Sequence, residues 1–254
     1  MGAQAQKSFV DIQSDYRFFE EHSSERSQCL QIWHPHLQAL QNGRSNLRML
    51  DFGCGSGSFT AQVLARLPEA SKLRLALVEP VAEALAQAQA TCAPYLCQPL
   101  TSVSDWKFFP EEMQFDLILS HHVLYYLDPL LATLQGLLAH LKPGGKALLV
   151  VSQFSSIGQL QGSILQHAGI TNPYHSGTEV LESLAQVAPV QVEGFSSQLR
   201  MADTLSHRRR ILNFLVGEFA PLIDWDYALS AFDPYSRNGE IVMNSQEMNL
   251  VVRA

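Results

Sequence analysis

Charge is scarce in this 254-residue chain: 16% of residues are charged, and the net charge is −7. No basic stripe runs along it, which argues against a nucleic-acid partner, because phosphate contacts need clustered Lys and Arg. The single basic run, His207 to Arg210, leads into an apolar helical stretch (Ile211, Phe214, Leu215) and reads as a solvated helix end. The four cysteines, Cys29, Cys54, Cys92 and Cys97, have no CxxC spacing and no paired-histidine pattern. No metal site is expected from them, and they read as reduced thiols of a cytoplasmic protein. No apolar run is long enough to span a membrane. MGAQAQKSFV has no signal-peptide core, and Gln6 breaks the myristoylation pattern that Met1-Gly2 begins. Repeats are missing, and the one biased stretch, AEALAQAQA at 82–90, is a strong helix former.

What is present is a hydrophobic fraction of 46%, enough for a substantial core, and an ordered series of apolar runs. Residues 8–41 read as one or two helices broken at His34-Pro35, followed by a turn at Asn42-Gly43. Leu47 to Phe52 is the first expected strand, Thr60 to Leu67 a helix, Leu73 to Glu79 the second strand, then the Ala-rich helix. Tyr95 to Leu100 is read as a short third strand, Phe115 to Ser120 as a buried fourth. The stretch Pro129 to Leu141 carries leucines at helical spacing. The run from Lys142 to Gly145 breaks the chain, and Lys146 to Val151 is a fifth strand. Beyond Ser152 the expectation is two helices over 156–187, a strand near Val190 to Leu199, helices near 204–231, a loop over 232–239, and an alternating final strand over 240–253. Strands alternating with helices imply an α/β fold: a Rossmann-like, mostly parallel sheet with helices on both faces.

The most informative stretch is LRMLDFGCGSGSFT, residues 47–60. A strand ends at Asp51, and Gly53, Gly55 and Gly57 let the backbone turn sharply and pass close to a ligand. A second strand ends at Glu79-Pro80, and Glu79 is suited to accept two hydrogen bonds from a ribose diol. The bland alternative is an ordinary βα turn with an exposed strand end. The GxGxG spacing puts Thr60 where a dinucleotide fingerprint has its third glycine, which favours S-adenosylmethionine over NAD. His121 and His122 follow the fourth strand, where either can take a proton near neutral pH or only pack the turn. Tyr125 and Tyr126 offer an apolar wall with polar tips, or core packing for one of them. Tyr16 and Phe19 share a helical face with Glu20 beside them.

DFGCGSG, LVEP, FDLILSHHVLYYL and LKPGGKALLVV, in that order, resemble the motifs of class I S-adenosylmethionine-dependent methyltransferases over residues 45–152. The resemblance implies a seven-stranded sheet with an antiparallel last strand. It also implies that Asp51 and Gly53 contact the methionine part, Glu79 the ribose, and Thr101 or Ser102 the adenine edge, with His121 lining the cofactor. Residues 14–30, together with VLYYLDPLLATL and NGEIVMNSQEMNLVVRA, are similar to the histamine N-methyltransferase family. That likeness implies an N-terminal lid, an amine-binding Glu25, and Tyr125, Tyr126 and Tyr174 in the acceptor pocket. A family glutamine is His122 here, and a family asparagine falls at Ser245 beside Asn244.

One domain is expected: a helical lid (1–44), a cofactor-binding core (45–152), and cap helices with the last two strands (153–254). The reading is a methyltransferase acting on a small-molecule amine, with His122 and Tyr126 as candidate catalytic residues. Oxygen, carboxylate and peptide-like acceptors stay open, as does a non-catalytic S-adenosylmethionine-binding module. A metal-dependent enzyme is disfavoured, since no acidic triplet for Mg²⁺ stands out, and oligomeric state is not legible.

Overall fold

The computed structural model describes residues 12–41, 46–67 and 72–254. In chain order the elements are α1 (Gln13–His22), α2 (Glu25–Gln41), β1 (Arg48–Phe52), α3 (Ser58–Leu64), β2 (Arg74–Val78), α4 (Ala82–Cys92) and β3 (Thr101–Val103). Then come β4 (Phe115–His121), α5 (Leu130–Ala139), β5 (Leu141–Ser155), α6 (Ser156–His167), α7 (Gly177–Ala185) and β6 (Val190–Ala202). The last are α8 (Leu205–Val216), α9 (Trp225–Ser230), β7 (Ser236–Arg237) and β8 (Glu240–Arg253). The sheet order is β3-β2-β1-β4-β5-β8-β6, with the short β7 paired to β8.

From β3 to β5 every pairing is parallel, with Leu50 level with Ala76 and Ile118. β8 runs against β5, since Ala254 returns to Gly144 and Gly145 while Ser245 meets Ser155. This is a Rossmann-like sheet, with antiparallel strands closing it. The central strands are buried along their length, as in sheets covered on both faces.

Three expectations from sequence need correcting. The third strand is not at 95–100. Pro99 removes a ladder donor from that stretch, Ala93–Tyr95 forms a 3-10 turn, and the pairing on β2 starts at Thr101. Pro35 does not break α2. It lies on the exposed face, where water can take the carbonyl its ring frees, while Trp33, Leu37 and Leu40 are buried on the other side. The actual break is at Ser23, whose neighbour Ser24 exchanges hydrogen bonds with Gln198. Nor do the residues Lys142 to Gly145 end a segment: they bulge inside β5, between the Phe115–Leu141 and Leu117–Lys146 pairings. Near 232–239 the expected loop contains β7. The Asn42-Gly43 turn and residues 8–11 lie outside the described residues.

The chain divides into two compact units. The first comprises the described residues up to Gln28, Ser152–Tyr174 and Phe195–Glu247; the second comprises Cys29–Val151, His175–Gly194 and Met248–Ala254. The second unit's core includes Leu50, Ile118, Leu134, Leu137, Leu149 and Leu250, so the sheet packs directly on the leucine-rich α5. In the first unit, Ile12 and Phe18 pack with Leu199, Ile211, Leu212 and Phe232, joining α1 to α8. Side-chain caps start α6 (Ser155), α7 (Ser176, with Glu179 completing a capping box) and α8 (Thr204).

Candidate functional site

In the second unit the β1–α3 loop turns over the C-terminal end of the parallel strands, where open α/β sheets bind ligands. Gly53 N–H and Cys54 N–H both donate to the Val78 carbonyl, at 2.8 and 3.1 Å, pinning the loop to the end of β2. Asp51, 5% exposed, accepts a hydrogen bond from the Thr60 hydroxyl. The aspartate therefore orients the loop against the first turn of α3, and Thr60 acquires a role that its place in the motif alone did not give it.

The three loop glycines differ in what surrounds them. Gly57 has φ +74°, and a Cβ there would lie 2.8 Å from Ala88 Cα, so it is needed where α3 approaches α4. Gly55 has φ +54°, and a Cβ there would meet no atom of the described residues within 4 Å. A Cβ on Gly53 would run into Val123, a neighbour that sequence reasoning missed.

Glu79 Oε2 accepts from Gly55 N–H at 3.1 Å, and Oε1 from Val81 N–H at 3.0 Å. A carboxylate offers about four lone-pair sites, so each oxygen retains capacity for a ribose hydroxyl. Burial raises the Glu79 pKa above the ordinary glutamate value, and the two backbone hydrogen bonds oppose that rise. Pro80, next in sequence, is exposed. Thr101 and Ser102 lie within β3 opposite Ala76 and Leu77, and the Ser102 hydroxyl accepts from Gln89. Burial, with Asp51 and Glu79 nearby, pushes the Cys54 thiol far up, so it is no nucleophile. These features fit a ribose-bearing cofactor: a diol acceptor at the second strand end, and an open approach at Gly55.

His121 ends β4. Its ring stacks on Phe59 of α3 at 4.1 Å and meets Trp33 edge-on at 6.2 Å, two aromatic partners absent from the sequence-based site. His122 has φ +56°, an unfavourable conformation for a side-chain-bearing residue. Its Nδ1 lies 3.0 Å from the Tyr125 hydroxyl, and the two rings are near-parallel. Tyr126 stands edge-on to Tyr125. The structure therefore brings His121, His122, Tyr125 and Tyr126 together just past β4.

In the first unit, Tyr16 and Phe19 both face Phe214, with ring centroids 5.3 and 4.8 Å away. Phe214 was expected only as a helix core residue. Burial, then the Glu20 carboxylate, raises the Tyr16 pKa well above the usual phenol value, and Glu20 pairs with Arg26. Glu25, in the first turn of α2, is only 6% exposed rather than a solvated helix charge. The Tyr174 hydroxyl donates to Glu218. Ser245 is buried and bonds the Ser155 hydroxyl, whereas Asn244 is exposed and bonds Gln198. Adjacent strand residues point to opposite faces, so one pocket face cannot hold both. Glu247, two residues on from Ser245, is 3% exposed and accepts from the Ser152 and Ser197 hydroxyls, a buried carboxylate that alternation along β8 could have flagged.

Among the described residues, no helix is long and apolar enough to cross a membrane. A family model for a methyltransferase domain matches residues 24–207. The trans-aconitate 2-methyltransferase of Deinococcus radiodurans is 35% identical over 114 residues, a stretch that is 43% of this chain and 39% of that protein. This chain thus matches well under half the length of that curated relative. Among solved structures, BH2331 of Bacillus halodurans C-125 has a TM-score of 0.54 at 12% identity, covering 87% of this chain and 97% of that one. The plantazolicin methyltransferase BpumL, solved in complex with SAH, has a TM-score of 0.53 at 13% identity, covering 97% and 93%. At such identities the structural likeness is one of fold. The family match over most of the chain goes further, and the protein belongs to the class I S-adenosylmethionine-dependent methyltransferases.

Proposed function

We propose that this protein transfers a methyl group from S-adenosylmethionine to a small-molecule acceptor whose nucleophile is an amine nitrogen. The observation that carries the acceptor reading is the His122–Tyr125 pair past β4. S-adenosylmethionine supplies a methyl group made electrophilic by its sulfonium. An amine must be neutral to attack in line with the sulfur–methyl bond, so a proton acceptor beside it contributes directly. In the tautomer whose Nδ1–H donates to the Tyr125 oxygen, Nε2 of His122 carries the accepting lone pair. The strained backbone of His122 is the kind of feature that concentrates at active sites.

On the cofactor side, we assign Glu79 to the ribose hydroxyls, Asp51 and Gly53 to the methionine part, and Gly55 to close backbone approach. His121 forms a wall of the site, and Thr101 or Ser102 lies by the adenine edge. By the likeness to histamine N-methyltransferases, Glu25 is the candidate for holding a substrate cation, and Tyr16, Phe19 and Tyr174 are further acceptor-recognition candidates. The likeness to histamine N-methyltransferases favours a small amine, while the changes at His122 and Ser245 favour one other than histamine.

The carboxylate of an organic acid is a second reading, favoured by the named activity of the Deinococcus relative. Both readings are tested with methyl-labelled S-adenosylmethionine against panels of amines and di- and tricarboxylates. Label in an amine supports the first reading, and label only in a base-labile ester overturns it in favour of the second. Cofactor binding without turnover on any acceptor would support the non-catalytic alternative.

A further inference from the structure

Behind His121, wholly within the second unit, lies a run of polar side chains that the proposed reaction does not use. Lys146 on β5 is 6% exposed, His36 on α2 9%, Asn249 on β8 0% and Trp33 on α2 0%. Lys146 Nζ donates to His36 Nδ1 at 3.1 Å. His36 therefore carries its proton on Nε2, which donates to Glu193 Oε2 on β6 at 2.8 Å. The Asn249 amide N–H donates to the same oxygen at 2.9 Å, which leaves Asn249 Oδ1 to accept from Trp33 Nε1–H at 2.9 Å. Gln191 occupies the other Glu193 oxygen. Burial lowers the Lys146 pKa, with Arg253 adding to the effect.

Each link in this chain pairs one donor with one acceptor, so each constrains the orientation of the next. The last member, the Trp33 indole, packs 5.5 Å from Phe59 and edge-on to His121. An apolar interior would attach α2 to the sheet without the desolvation cost of a Lys, a His, a Glu and an Asn. What the polar chain adds is directional: it sets the rotation of one indole. Trp33 and His36, three residues apart on one helix face, are gripped together.

We propose that Trp33 is a positioning residue for His121, and that the Lys146–His36–Glu193–Asn249 chain locks the indole that holds the His121 ring against Phe59. This rests on the reading that His121 lines the cofactor site. Nothing in the sequence motifs points to it, because the five residues lie on α2, β5, β6 and β8, far apart in the chain.

The test is a double-mutant cycle on the full-length protein, read as calorimetric affinity for S-adenosylhomocysteine. Asn249→Leu should weaken binding about 2- to 10-fold, the equivalent of one net hydrogen bond. In a His121→Ala background the same substitution should change affinity less than about 2-fold. Equal factors in the two backgrounds would overturn the positioning role and leave the chain as core structure. If His121→Ala alone leaves affinity unchanged, the placement of His121 at the cofactor is the part that fails. Trp33→Phe, which keeps a ring and removes the N–H, replaces Asn249→Leu if the latter does not fold. It should show the same loss and the same dependence on His121.

Discussion

Gly55 and Gly57 are two residues apart in one loop, and the structure assigns them different tasks, which alanine substitution should separate. A Cβ on Gly57 would lie 2.8 Å from Ala88 Cα and 3.1 Å from the Ala88 carbonyl oxygen, both backbone atoms that cannot step aside. Holding alanine at left-handed φ costs roughly 1–2 kcal/mol, and the overlap adds about 1–3 kcal/mol. For a chain of this size each 1 kcal/mol lowers Tm by roughly 2–4 °C. Gly57→Ala should thus lower Tm by about 4–20 °C. At Gly55 the same change pays the left-handed strain alone, a drop of about 2–8 °C, because no atom of the described residues lies within 4 Å of the new methyl. If the cofactor passes over Gly55, that methyl enters its space. An overpacking cost of about 1–3 kcal/mol corresponds to a loss of affinity on the order of 5- to 150-fold. Scanning calorimetry and titration with S-adenosylhomocysteine measure the two quantities. A Gly55→Ala protein that binds like the wild type would refute the placement of the ligand over this loop. A Gly57→Ala protein as stable as the wild type would refute the reading of the α3–α4 contact.

Further expectations follow from neighbouring groups. Glu79→Ala should weaken cofactor binding by about 1.5–3 kcal/mol, the range for a hydrogen bond to a charged group, and an unchanged affinity would mean the ribose is held elsewhere. The raised Glu79 pKa also gives opposite signs for two pH profiles. As pH falls through the folded-state value, protonation relieves the buried charge and adds stability. The same proton removes an acceptor, so S-adenosylhomocysteine affinity should fall over that window in the wild type and stay flat in Glu79→Gln. Thr60→Val leaves the buried Asp51 short of a donor and should cost about 1–3 kcal/mol of stability, checked by urea unfolding. Phe214→Ala should raise the acceptor KM while leaving cofactor affinity within about 2-fold, since Phe214 packs on Tyr16 and Phe19. A matching fall in cofactor affinity would place those rings in a merely structural role.

Local chemistry made most of the core legible. Asp51, Gly53, Gly55, Gly57 and Glu79 could be read because a strand end, a sharp turn and an acid leave their marks within a few consecutive residues. The buried strands β1, β2, β4 and β5 could be read because a sheet covered on both faces demands continuous apolar runs. The alternation of β8 likewise showed a strand with one buried face. Where these local rules compete with packing, the sequence misleads. Pro35 should end a helix, yet a buried face led by Trp33 carries α2 through it. Glycines at 144 and 145 should break the chain ahead of a strand, yet the flanking pairings with β4 hold them as a bulge within it.

The sequence, then, determined the class of cofactor and the two strand ends with their glycine loop and acid, because short-range spacing is enough to specify a turn and the carboxylate beside it. Only the tertiary structure decided which side chains stand together around them. Phe59 and Trp33 against His121, Phe214 against Tyr16, Val123 beneath Gly53, and the chain from Lys146 to Asn249 all join residues whose separation along the chain gives no local signal. Their meeting depends on the order of the strands and on which face each helix turns inward, and those are properties of the packed sheet.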